Sequence, residues 1–474
     1  MKSFTPSGSR KTYLPMVTLH IPVSLGVCFM LESCHTWVGV LMGAVTLCAS
    51  SPAFADASIQ YASGVTVTPR ISCQAAKCNP NFATRITSDL AQLSPDYCAM
   101  PVQANLDFYA WREFIALNWP ANPSTCGADL DKTILDSSGP RVWQTWLLGS
   151  EVMVPNGSKP SAWCPDSRTK ETQTFDVRDT VLSVGGVLID QNGRFSRHET
   201  RLNEDVYNYL VTNNLWNKAG QRDARIDLPT GPKDLLCDGQ CCGSTGAIMV
   251  KASWKVLGAN DDKSRFYTLQ AQLLDVSQPA LLGLVGLHIA HKTPTQEKWI
   301  WASFEHVDNV TKLFNNPRCP QTPAYNPNAP VPCTQTCCPP NSQTAAKDPK
   351  THTYVELSPA GEPLNRPTQV TRVLPISNAL VNKQFQTLLK GSVWENYELV
   401  STQWVDHQGN TTPEFAANTT LETFDQGPQP PTHGKLPYKP FSTQVSSSCM
   451  KCHATAKNSA GGSADFSFIL GTAR

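Results

Sequence analysis

Charge is scarce in this chain. Asp, Glu, Lys and Arg make up 16% of its 474 residues, and the formal net charge is +1. A nucleic-acid-binding surface needs clustered cations to neutralise phosphates, so that class of function has no support here. Long apolar runs are also lacking. After Ala55 no stretch is long and apolar enough to cross a bilayer, so no stable membrane span is expected in the body of the chain. Between Tyr13 and Ala55 there is neither Lys nor Arg, and Glu32 is the only carboxylate. Lys2, Arg10 and Lys11 precede that stretch, residues 37–49 form a short apolar core, and Ala53-Phe54-Ala55 closes it with a small-x-small pattern. Residues 1–55 therefore read as an export leader cleaved before Asp56, with Met30 and Met42 as alternative starts. Lipidation of Cys48 is disfavoured, because Leu47 stands where a small residue is needed.

Cysteine, by contrast, is plentiful. Of the 17, Cys28, Cys34 and Cys48 fall in the leader. Near the far end stands Cys449-Met450-Lys451-Cys452-His453, a Cys-x-x-Cys-His sequence. Two thiols at this spacing can each join one vinyl group of a porphyrin, and the adjacent imidazole can then bind the iron axially. The expectation is one covalent haem c on Cys449 and Cys452, with His453 as metal ligand. The alternatives are a Cys449–Cys452 disulfide, a partial zinc site needing two more ligands, and a redox dithiol. Haem c is attached outside the cytoplasm, so the leader and the motif point to one compartment, the periplasm or another exported location. The other twelve cysteines are even in number and include two clusters of one spacing, Cys237-x3-Cys241-Cys242 and Cys333-x3-Cys337-Cys338. Behind an export signal these read as disulfide staples, with connectivity left open.

The remaining chain divides into a body, residues 56–425, and a C-terminal attachment segment, 426–474. Apolar residues at helical spacing predict helices over 105–119, 140–153, 203–218 and 377–389, and a short closing helix over 464–473. Strands are expected over 180–189 and 398–406. The densest alternation runs through 247–257, 265–276, 281–292 and 298–306. The fold class is thus α+β: a β-rich antiparallel meander or sandwich with several flanking helices, disulfide-stapled loops and a C-terminal haem segment. The Pro-, Asn- and Cys-rich stretch 315–350 reads as a stapled surface insertion.

The far side of the iron is the open question. Residues 454–474 contain neither Met nor His, so no downstream side chain of those types can supply a sixth ligand. If residue 292 pairs with 297 in the hairpin, His288 lies opposite Trp301. Leu284, Gly286, His288 and Ala290 then share a face with Trp299, Trp301, Ser303 and Glu305. A face with one histidine, two tryptophans and a carboxylate suits a lined pocket. His288 and Trp301 are therefore candidate haem-pocket residues, with His288 or His306 as candidate distal ligand. Trp111, Trp119, Trp143 and Trp146 are read as core packing in preference to a haem wall.

The segments LDFYAWREFIALNWP, VGLHIAHKTP with KWIWASFEHVDNV, ANTTLETF, and SSCMKCHATA with ADFSFIL resemble a group of bacterial secreted proteins identified as cytochrome c family proteins. The resemblance covers most of the chain after the leader in scattered blocks. It implies one covalent haem and an exported protein, with Cys449, Cys452 and His453 on its haem motif. There is no second Cys-x-x-Cys-His. The expected function is electron transfer with a periplasmic redox partner. The alternative is a haem enzyme or sensor with an open distal site for a small-molecule substrate, since the chain is larger than one electron-transfer haem requires.

Overall fold

The computed structural model describes residues 102–474 apart from 123, 130, 165–172, 183–185, 232–244, 295, 320–339, 342, 346, 374, 407, 425 and 427–447. The expected leader, the cysteines before residue 101 and both vicinal cysteine clusters lie outside the described residues. Cys126 and Cys164 form a disulfide, and Cys319 is also disulfide-bonded.

The architecture is α+β around one nine-stranded sheet. Its strands are β1 (Leu147–Leu148), β2 (Gln173–Phe175), β3 (Arg197–Leu202), β4 (Ile248–Val256), β5 (Thr268–Leu273), β6 (Gln278–Thr293), β7 (Gln296–His306), β8 (Tyr397–Val405) and β9 (Thr411–Thr412). The order is β9-β8-β7-β6-β4-β3-β1, with β5 beside the first part of β6. All pairings are antiparallel except β2 with β5. The expected meander is present. Among the described residues, however, it is one large sheet and not a sandwich of two.

Strand alternation decides what each face carries. In β4, Ile248, Val250, Ala252, Trp254 and Val256 enter one large hydrophobic cluster. Met249, Lys251, Ser253 and Lys255 alternate with them and face the other way. The apolar face is covered by helices α1 (Val102–Leu117) and α3 (Ala379–Leu388). Trp111 stacks on Phe385 with centroids 5.2 Å apart, and its indole N–H donates to Asn382 Oδ1 at 2.9 Å. Helix α1 appears at its expected place, but it is not half exposed: nearly all its residues are buried, Asp107 and Glu113 included. Its C-terminal carbonyl at Phe114 is capped by the Asn118 amide at 2.8 Å, and Pro120 blocks continuation. Trp111, Trp119, Trp143 and Trp146 all belong to this cluster.

Four expected elements take another form. Residues 140–153 form no single helix: a 3-10 turn Val142–Thr145, then β1, then the one-turn helix Gly149–Val152. The cause is tertiary, because buried Arg201 claims the carbonyls of Gln144 and Trp146 at 2.7 and 2.8 Å, and β1 pairs with β3. Helix α2 (Glu204–Thr212) starts at its expected cap, Asn203, but stops early, where Asn214 turns to positive φ and Leu215 folds inward. Residues 180–189 are a two-strand hairpin, Val181–Leu182 with Gly186–Val187, and the chain closes on the 3-10 turn Phe468–Thr472.

The β6–β7 register is two residues away from the expected one. His288 pairs with Ser303, and Ala290 with Trp301. The shift is absorbed by an irregularity between His291 and Thr293, opposite Trp299 at φ 76°. A two-residue slip preserves side-chain direction, so His288 and Trp301 still share a face. Leu284 does not share it. A bulge against β4 between Leu284 and Gly286 turns Leu284 into the apolar cluster with Leu287.

The second face is polar toward its Glu305 end. Residues 416–424 form a strap across it. Thr419 donates its N–H to Glu305 at 2.7 Å and its hydroxyl to the same carboxylate, and Asn418 donates to the Phe304 carbonyl at 2.8 Å. The strap can lie this close because Gly286 has no side chain: a Cβ there would sit 2.3 Å from Thr420 Oγ1. Arg372 bridges Glu305 and Glu398 at 3.1 and 2.8 Å. Burial, opposed by Arg372 and aided by Glu305, pushes the Glu398 carboxyl from an ordinary 4.5 up to about 7. A folded state that prefers the proton gains stability below the ordinary value and loses it as pH rises through about 7. Glu398→Gln removes this dependence. Its melting temperature relative to the parent is expected to rise from pH 5 to pH 8, and a fall would contradict the assignment.

Candidate functional site

The CMKCH sequence forms one helical turn, α4 (Cys449–His453). Ser448 caps it, accepting from the Lys451 N–H at 3.3 Å, and is itself tied to Gln403 of β8 at 3.1 Å. The turn packs on the second face of the sheet. Cys449 and Met450 share a hydrophobic cluster with Leu202, Met249, Ala290, Trp299 and Trp301. Helix α4 is thus built into the sheet's own packing, not appended beside it.

Between α4 and the sheet lies a cavity of ≈450 Å³. Parts of two ladder rows floor it: Met249, Ala290 and Trp301 of one, Thr200, Lys251 and His288 of the next. One runs Leu202–Met249–Ala290–Trp301 across β3, β4, β6 and β7; the next runs Thr200–Lys251–His288–Ser303. Cys449, Cys452 and His453 line the opposite side, with Ser467, Phe468 and Ile469 at the rim and Glu422 from the strap. Cys449 and Cys452 are both thiols.

His453 is held in a defined orientation. Its Nδ1 lies 2.7 Å from the Phe466 carbonyl, which makes Nδ1 the protonated nitrogen and leaves Nε2 as the basic one. The carbonyl is aimed by two residues at positive φ, Asp465 (44°) and Phe466 (67°). Asp465 is anchored by Lys292 Nζ and the Leu228 N–H, each at 2.7 Å. The His453 ring packs against Trp301 (4.2 Å) and Phe468 (4.9 Å). Burial pushes its pKa down to about 4, with the Phe466 carbonyl pulling the other way, so the imidazole is neutral at pH 7, the form in which it coordinates. Burial pushes the Cys449 thiol well up, the opposite of an activated redox cysteine.

At the other end, His288 Nδ1 accepts from Trp301 Nε1 at 3.4 Å, and its Nε2 lies 3.3 Å from Glu422 Oε2. The same oxygen accepts the Asn418 N–H at 2.9 Å. Burial alone would raise the Glu422 carboxyl; the charge and hydrogen bonding of His288 outweigh it and hold the group below its ordinary value. Donor atoms of His288, Glu422 and Cys449 fall within 4.8 Å of one another. Ligands 2.0–2.3 Å from a tetrahedral zinc stand roughly 3.5 Å apart, so the trio is loose for that ion.

The residues fit a haem c site. Both thiols, an oriented neutral imidazole with Nε2 available, and a largely apolar cavity converge. The structure brings His288 and Trp301 to this cavity. His306 is not brought there: it is buried beside Phe266 (4.3 Å), with Nε2 3.1 Å from the Arg265 carbonyl. Glu422, Lys251 and Phe468 were not legible as site residues. Glu422 had one usable signal, as the single charged residue in ANTTLETF. Among the described residues, no helix is long and apolar enough to cross a membrane. No family model, no curated protein and no solved structure matches this chain.

Proposed function

We propose that this chain is an exported monohaem c-type cytochrome that transfers electrons to or from a periplasmic redox partner. The observation that carries the reading is the convergence of Cys449, Cys452 and His453 from one helical turn onto one cavity, with Nδ1 of His453 already engaged. Bound there, haem c supplies a one-electron iron couple. The protein's part is to fix the imidazole through Phe466, and Trp301, Met249, Phe468 and Ile469 of the cavity lining would hold the haem and keep water from it. Phe468 is 45% exposed, so the site reaches the surface, where a partner can approach.

A second reading, a haem enzyme or sensor with an open distal side, draws on the His288–Glu422 pair at the cavity's polar end. A buried histidine set beside a carboxylate is chemistry that a simple electron carrier does not need. The spectrum of the purified mature protein separates the two. A six-coordinate low-spin haem that ignores carbon monoxide is the expected result. A high-spin ferric form that binds carbon monoxide on reduction would overturn electron transfer in favour of the second reading.

A further inference from the structure

Three lysines of the central strands project from the sheet into buried or half-buried surroundings, and two of them are fully matched. Lys255 lies 2.8 Å from Asp190 and 2.7 Å from Asp261. Lys292 lies 2.5 Å from Asp227 and 2.7 Å from Asp465. The side chain of Lys251, between them in the sheet, makes no hydrogen bond or ion pair with the described residues. It stands on the cavity floor, its Cα opposite Thr200 on one side and His288 on the other. The carboxylate on the same lining, Glu422, already spends Oε2 on the Asn418 N–H and His288. The charge of Glu422 reaches Lys251 only through space, so on this largely apolar lining the half-buried amine has no direct hydrogen-bonding partner among the described residues.

We infer that Lys251 is the seat of an anionic oxygen group inside the cavity, next to His288. That chemistry has two sources: a propionate of the haem, or a small soluble oxyanion. Only the first rests on the haem reading.

The test uses Lys251→Gln and Lys251→Arg in the full chain, with melting temperature as a check that each folds. In haem-loaded protein, resonance Raman reads the propionate bending mode. A band displaced by Gln and restored by Arg assigns the propionate. In the Cys449→Ser/Cys452→Ser chain, inorganic phosphate is titrated by calorimetry. Binding that weakens at least tenfold with Gln and recovers with Arg assigns a soluble oxyanion. If Gln changes neither the Raman band nor phosphate binding, the inference is overturned. Failure of the haem reading is seen separately, as an absent haem stain, and the phosphate arm still decides the role of Lys251.

Discussion

Replacing Cys449 and Cys452 together by serine is expected to abolish covalently attached haem completely, read as loss of haem stain on a denaturing gel. The effect is all or none because each thiol carries one of the two thioether bonds, and the chain has no second Cys-x-x-Cys-His to take over. Each single variant keeps one thiol and is expected to retain a reduced stain. The fold should survive the double change. Serine is close in size to cysteine, and Ser448, Gln403 and the Phe466 carbonyl still position the turn. Circular dichroism of the variant is therefore expected to match the parent's sheet signal. Stain retained at the parental level, with the fold intact, would remove the attachment assignment.

The largest stability effect is expected at Glu305. Its carboxylate is fully buried and holds three things at once: the Arg372 guanidinium, the Thr419 N–H and the Thr419 hydroxyl. Glu305→Leu leaves the guanidinium with Glu398 alone and strands two buried donors of the strap. Removing one partner of a buried pair costs about 3–5 kcal/mol. Glu305→Gln keeps the shape and one acceptor, and is expected to cost about 1–3 kcal/mol. Chemical denaturation measures both. The same strap delivers Glu422 to His288, so limited proteolysis within 416–424 is expected to speed up in the leucine variant. A loss below about 1 kcal/mol for Glu305→Leu would mean that the strap is anchored elsewhere.

Local patterns in the sequence carried as far as local physics reaches. Alternation in 248–256 sorts Ile248, Val250 and Trp254 from Met249 and Lys251 without any knowledge of neighbours, because a strand's side chains point to opposite faces by geometry alone. The cap at Asn203 and the stop at Pro120 are equally local. The pocket face of the β6–β7 hairpin was legible for the same reason, even with the register displaced by two. What failed was everything set by distant partners. Residues 142–152 have a helical stripe, yet Arg201 and β3 take their backbone groups. Leu284 follows the alternation of its strand, yet a bulge against β4 turns it to the opposite face.

Taken by itself, the sequence determined the α+β class, the strand-rich centre and the Cys449–His453 motif, since each is written in spacing along the chain. The tertiary structure alone decided what stands against that motif. Lys251, His288 and Glu422 lie far apart in sequence, and no periodicity links them. They meet because ladder pairing sets β4 beside β6 and because a glycine at 286 lets the strap lie on the sheet. Register and close approach are properties of paired backbones.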